Sequence, residues 1–356
     1  MNFDIFDEEY YLQQNPGISA AITQGLVTSG LDHFQRYGLT EGRTKVSRYY
    51  NETTYLENNP GVANILQTNI FASGLEHFIN YGYEEGRNNT SPDYDETFYL
   101  NKYNDVASQV ETGTYVSGFS HFIQVGSIEN LQTTSFVDSF YLGRNSDVAE
   151  AVNNGVFPTG QAHYREYGQF EQRSARFTGT PGSDVILGYG EGEKDIYGVD
   201  VTPRPSFLSL PGPDFNNDGV VTPEEASRQF GQSQEFTSSP VVTYSDGSNE
   251  FDTLVGSAGQ DNFFLGRTSV NGRGFFTGST TFYQGEGVAL IQNFDPSDGD
   301  TIKLIIGSSD FDIAEGELGA TILVENDPIA IVEGYESSQL TPIEEDFLFY
   351  REVTFV

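Results

Sequence analysis

Residues 214–225 read DFNNDGVVTPEE and set oxygen-bearing side chains at alternate positions. Asp214, Asn216 and Asp218 stand at positions 1, 3 and 5 of this stretch, and Gly219 stands at 6, where a sharp turn needs φ > 0. Val220 offers its carbonyl at position 7, Thr222 stands at 9, and Glu225 at 12 can give both carboxylate oxygens. This spacing wraps about six or seven hard oxygen donors around one point, the shell that Ca²⁺ takes. Thr222-Pro223-Glu224-Glu225 also reads as a helix start, with a capping box and proline at the first helical position. That reading leaves Asp214, Asn216, Asp218 and Gly219 unexplained.

Weaker signals for the same chemistry flank this loop. Residues 179–187, GTPGSDVIL, carry Gly179, Gly182, Asp184 and Ile186, and GYGEGEKDIYG follows with Asp195 and Tyr197. Residues 247–264, GSNEFDTLVGSAGQDNFF, supply Gly247, Asp252 and Leu254, then Gly256, Gly259, Asp261 and Phe263. Each unit predicts one short strand with its apolar residue turned inward. The glycine-rich bend would offer carbonyls, and the aspartate would complete a cation's shell. Stacking of the four turns would pair Asp184 with Asp252 and Asp195 with Asp261. A small parallel β-coil, or hairpins with Asp-rich turns and no metal, is the competing reading.

These residues need a β scaffold, and the charge distribution shows where it lies. The chain of 356 residues has 52 acidic and 17 basic side chains, a net charge of −35. Residues 177–356 hold −23 of this and residues 1–176 hold −12. Such an excess of acid excludes a nucleic-acid binder, which needs clustered Lys/Arg, and a polybasic membrane anchor. With 28 Phe and 21 Tyr the chain can bury a core rather than stay disordered. There is no cysteine, so disulfides and thiolate metal sites are excluded. No apolar run is long enough for a membrane helix.

Residues 1–176 are an internal repeat of about 44 residues in four copies. Tyr11, Tyr55, Tyr99 and Tyr141 recur at spacings of 44, 44 and 42, and so do His33, His77, His121 and His163. In the first copy, Asn15-Pro16 predicts the end of one helix and the start of a second through Ile22, with Gly25 past its end. Ser29 can cap a third, for which Gly38 reads as the residue that ends it. One histidine per repeat cannot assemble a metal site, so each is expected to be structural, bonding a nearby backbone carbonyl. Glu41/Arg43 and Glu85/Arg87 of the EGR tails are expected to form solvated pairs between repeats.

The pattern YYL…NPxVA…SGLxHFxxYGxxEGR, over residues 6 to about 173, resembles a tandem repeat of large secreted and surface proteins of bacteria, cyanobacteria among them. The glycine-aspartate turns resemble the RTX (hemolysin-type) calcium-binding nonapeptides, and residues 287–307 resemble the segment that closes RTX regions. The loop at 214–225, preceded by the non-helical PRPSFLSLPGP, resembles the lone EF-hand-like loop of dockerin-like modules. The expected fold is α+β and multidomain: four short-helix repeats in 1–176, then an acidic, mainly β domain in 177–356. Within the latter, RTX-like turns at 179–198 and 247–264 form a parallel β-roll or β-sandwich. The calcium-loop insert spans 199–245, and a terminal β segment spans 287–356.

The resemblance implies a secreted structural or adhesive protein of the cell surface or extracellular matrix. Its cofactor would be Ca²⁺, and its partners its own copies or other matrix components. The N-terminal MNFDIFDEEYY lacks the layout of a cleaved secretory signal. The C-terminal DFLFYREVTFV resembles the uncleaved signals of type I secretion. A surface-polysaccharide-binding module is one alternative, and an unrecognised type I-secreted hydrolase is another. No HExxH, GxSxG or Walker pattern is present, so the expectation is that the chain is not an enzyme.

Overall fold

The computed structural model describes residues 1–68, 70–201, 245–270, 276–346 and 350–356. Four short-helix repeats are followed by mixed β-sheets, an α+β architecture with the helical array at the N-terminus. Among the described residues no helix is long and apolar enough to cross a membrane.

The first repeat builds helices over Glu8–Gln14, Pro16–Thr23 and Gly30–His33, and the third continues as a π-helical turn over Phe34–Gly38. The same order recurs in the other three repeats, ending in π turns at Phe78–Gly82, Phe122–Gly126 and Tyr164–Gly168. Asp7, Asn51 and Asp95 cap the first helix of their repeats. Ser29, Ser73, Ser117 and Thr159 cap the third. These caps satisfy only part of each helix start. Glu8 reaches across to accept from the Gly30 and Leu31 amides at 2.5 and 2.9 Å, and Glu52 and Glu96 do the same in their repeats.

Tyr11, Tyr55, Tyr99 and Tyr141 are fully buried. Each hydroxyl shares a hydrogen bond with Nδ1 of the histidine 22 residues on, at 3.0, 2.9, 2.8 and 2.9 Å. The histidines are thus tied to tyrosine hydroxyls rather than to backbone carbonyls. The same hydroxyl explains the glycine of the YG pair. A Cβ on Gly38 would stand 2.7 Å from Tyr11 Oη, and the corresponding contacts at Gly82, Gly126 and Gly168 are tighter. Gly38 therefore does not end a helix in the left-handed conformation; it admits a tyrosine at the widened turn. The left-handed position is Gly42 (φ 68°) and Gly86 (φ 69°), where the later repeats place Asn130 and Gln172. The EGR tails pair within a repeat rather than between repeats. Arg43 bonds Glu41 at 2.6 Å and also Asn15 Oδ1, and Arg87 treats Glu85 and Asn59 alike.

The array closes on itself. Gln13 and Gln14 of the first repeat donate to the Asn153 and Gly155 carbonyls of the fourth at 2.9 and 2.7 Å. Arg48 adds a bond to the Val152 carbonyl at 3.0 Å. The apolar residues of the first three repeats form one cluster, from Ile5 to Leu131. Phe136, Tyr141, Val148 and Tyr164 of the fourth repeat belong instead to the core of the β region.

That sharing begins at the backbone. The amides of Asp7, Asn51 and Asp95 donate to Val46, Thr90 and Thr133, each in the stretch that ends its repeat. In the fourth repeat the equivalent acceptor of the Val137 amide is Arg176, inside strand β1 (Ala175–Thr178). The segment that completes the repeat is thus the first strand of the sheet.

From β1 the chain alternates between two sheets. β2 (Val185–Leu187), β4 (Phe251–Val255) and β8 (Val288–Gln292) enter one. β3 (Lys194–Tyr197), β5 (Asp261–Phe264) and β9 (Thr301–Ile306) join β1 in the other. All neighbours in these two runs pair in parallel. Ile186, Ile196, Leu254, Phe263, Ile291 and Ile302 fill the space between the sheets. A hairpin of β6 (Gly266–Val270) and β7 (Phe276–Thr281) stands outside the alternation. Within the terminal segment, β11 (Gly319–Val324) and β12 (Asp327–Glu333) form an antiparallel hairpin that turns at Glu325-Asn326. β14 (Arg351–Phe355) runs antiparallel to β9.

Gly82→Ala should lower the melting temperature by pressing a methyl group onto Tyr55 Oη, at a cost of about 1–3 kcal/mol. Combining it with Tyr55→Phe should cost clearly less than the sum of the two single changes. Additive losses in thermal melts would show that the hydroxyl does not dictate the glycine.

Candidate cation seats in the stacked turns

Two parallel sheets joined by short bends stack those bends one strand spacing apart, about 4.8 Å. Residues at equivalent positions therefore meet. On one side, pairing of Val185 with Thr253 brings Asp184 beside Asp252. The Asp184 amide donates to Asp252 Oδ1 at 2.8 Å. Asp184 Oδ2 accepts from the Thr180 amide and hydroxyl at 2.6 and 2.9 Å, and Asp252 Oδ2 accepts from the Tyr283 hydroxyl at 2.7 Å. Glu250, 8 % exposed, lies in the same bend. Burial, reinforced by the Asp252 charge, pushes its carboxyl up to about 8. Burial likewise lifts Asp252 to about 6 and raises Asp184. Close by, the buried Lys102 ammonium bonds Asp200 at 2.5 Å and partly counters the rise at Asp184.

On the other side the register differs from expectation by one residue. Asp195 pairs across the sheet with Asn262, and it is Lys194 that stands opposite Asp261. Asp195 instead forms an ion pair with Arg176 at 2.6 Å. It therefore does not join Asp261 as a ligand. The physical reason is the two-residue period of a strand: a shift of one sends the side chain to the other face. Asp261 accepts from the Ser257 amide at 2.8 Å, and its own amide donates to Asp300 Oδ1 at 2.8 Å. Asp300 Oδ2 accepts from the Asp295 amide, also at 2.8 Å.

Sequence reasoning missed Glu250, Asp300 and Lys194. Asp300 could have been found, because it closes an acidic bend as Asp184 and Asp261 do, directly after Gly299 (φ 92°). Lys194 was hidden because the glycine-aspartate spacing invites alignment on the neighbouring Asp195. The loop residues Asp214, Asn216, Asp218, Val220, Thr222 and Glu225 lie outside the described residues. Among the described residues no three His, Asp or Glu side chains converge closely enough to hold a metal ion.

Away from the turns, a cavity of about 600 Å³ opens where the third and fourth repeats meet β1, lined by Asp93, Asp138, Phe140, Gln161 and Arg176 among others. Burial lifts Asp138 to about 6, while Asp93 is engaged by Arg165 and by the Thr159 hydroxyl. In comparisons with known proteins, no family model, curated protein or solved structure matches the chain.

Glu250 and Asp252 hold protons more tightly folded than unfolded. Between about pH 4.5 and 8 the folded state therefore binds more protons, and its stability falls as pH rises. Buried His77 and His163, whose pKa values are lowered by burial, act in the opposite sense in the helical half. Protection factors of amides 250–256 in chelator, taken relative to the intrinsic base-catalysed rate at each pH, should therefore fall from pH 5 to pH 8. Glu250→Gln should flatten that trend above pH 6 and raise the melting temperature at pH 8 by a few degrees, about 2–4 °C per kcal/mol. An unchanged pH trend in the variant would exclude Glu250 as its source.

Proposed function

We propose that the chain is an exported calcium-binding structural or adhesive protein of the cell surface or extracellular matrix. Its closed helical repeats present an interaction surface, and its acidic β half is held together by cations. In this reading the alternating two-sheet coil is a β-roll of the RTX type, and the loop at 214–225 is its principal Ca²⁺ site. Export is by type I secretion, and copies of the chain associate as calcium or salt eases their mutual repulsion. The supporting observation is the stacking of Asp184, Asp252 and Glu250, where burial raises all three carboxyl pKa values. Such a region gains from a bound cation.

The donor chemistry suits a hard ion. The loop offers carboxylates, an amide oxygen, a hydroxyl and a backbone carbonyl, all oxygen ligands. The described turns meet most of their carboxylate oxygens with amides, hydroxyls and Arg176, which favours the loop for tight binding.

One observation favours polysaccharide binding as a second reading. Tyr37, Tyr81 and Tyr167 are 49–53 % exposed at the same repeat position, each beside its histidine. Tyrosine rings at regular intervals suit stacking on sugar rings, and glycan-array binding lost on Tyr81→Ala would support this reading.

Calcium titration followed by calorimetry and thermal melting tests the first reading. Saturating Ca²⁺ should stabilise residues 177–356 by about 2.7 kcal/mol at a hundredfold excess over Kd. Asp218→Asn with Glu225→Gln should abolish most of the gain. Protection should extend into the fourth repeat, because Phe136, Tyr141 and Tyr164 share the β core. Identical melting curves in calcium and in EDTA would refute the calcium reading.

A further inference from the structure

Lys194 is fully buried, yet it lies in the most acidic part of the chain. Its Nζ donates to the carbonyls of Gly190, Gly192 and Ala258 at 2.9, 2.7 and 2.7 Å. It lies 3.6 Å from Asp261 Oδ1, an oxygen that is itself buried and has no hydrogen-bond partner. Three carbonyls and one carboxylate oxygen, drawn from two successive bends of one stack, thus converge on one positive charge. An ammonium is a compact point charge with three donors, and all three are used here. The same set of donors, hard oxygens from glycine bends and an aspartate, is the kind that holds a divalent cation.

The register shows how lysine came to sit there. Ala175, Lys194 and Asp261 are aligned across neighbouring strands, and the Asp261 amide meets Asp300 at the next rung. Two rungs of this column carry aspartate, and one carries lysine.

We propose that the Lys194 ammonium is the resident cation of a seat built by the bends 190–194 and 258–261, and that the seat takes Ca²⁺ when an aspartate replaces the lysine. The lysine makes this rung of the coil independent of metal. The position suits such an anchor: Tyr164 of the fourth repeat donates to the Tyr189 carbonyl at 2.6 Å, one residue before Gly190. The repeats are thereby joined to the coil at a rung that holds whatever the calcium level. The inference goes beyond the function proposed above and does not need the loop at 214–225 to bind calcium, because its test compares two chains that both contain that loop.

Lys194→Asp removes the ammonium and adds two oxygens to the four already facing the seat. Calorimetric titration of the full chain with CaCl₂ should find one more site per molecule than in the wild type. Hydrogen exchange of the wild type supplies a second measurement that does not depend on the variant folding. Amides in 194–197 and 261–264 should be equally protected in EDTA and in calcium. Lys194→Met, which fills the space without charge, should speed their exchange about tenfold, the loss expected for hydrogen bonds to a charged group, and calcium should not restore it. A folded Lys194→Asp chain with no additional calcium site would overturn the proposal. So would wild-type amides at this rung that lose their protection in EDTA.

Discussion

In a coil of stacked parallel turns, equivalent residues lie one strand spacing apart, so any carboxylate repeated along the stack meets its own kind. At such a distance two buried like charges repel strongly. Every carboxylate in the stack must therefore find a donor, a counter-charge or a proton. Asp184 and Asp252 use a backbone amide, Thr180 and Tyr283. Asp195 uses Arg176, and Asp261 uses Ser257 and Lys194. The Glu250 carboxylate accepts a long hydrogen bond from the Ser245 hydroxyl at 3.4 Å, and burial beside Asp252 raises its pKa. The net charge of −23 in residues 177–356 is thus divided between carboxylates met by the fold itself and a remainder on which a bound cation would act.

The helical half obeys a different constraint. Its repeats are too short to bury a face alone, and each is organised around one buried tyrosine hydroxyl that needs a partner. The histidine supplies the partner, the glycine of the widened turn supplies the room, and a carboxylate of the first helix (Glu8, Glu52, Glu96 or Asp138) ties down the third. Because the last repeat completes itself with β1, its aromatic core is continuous with the β core through Phe136 and Phe177. The two halves are therefore joined by packing as well as by chain.

Much of this was legible in the residues. The repeat period, the three helices, the Ser cap of the third and the short strands follow from local patterns that act over a few residues. The π turns were not legible, because what calls for Gly38 is a tyrosine 27 positions earlier in the chain, a tertiary contact that no local rule carries. Closure of the array through Gln13, Gln14 and Arg48 was hidden for the same reason. In the β half, glycine and aspartate spacing located the bends. Register was the weak point, since Lys194 and Asp195 are adjacent and only the pairing of β3 with β5 decides which one faces Asp261. The residue facing Asp261 is thus a lysine rather than the expected carboxylate.

The central claim is that the fold supplies its own cation, the Lys194 ammonium, at one rung of the stacked turns. Anomalous diffraction from crystals of the full chain grown in calcium tests it most directly. The account predicts density for Ca²⁺ at the 214–225 loop and none between Gly190, Gly192, Ala258 and Asp261, where the Lys194 ammonium should be seen in place. A calcium peak among those four residues, with the lysine displaced, would contradict it.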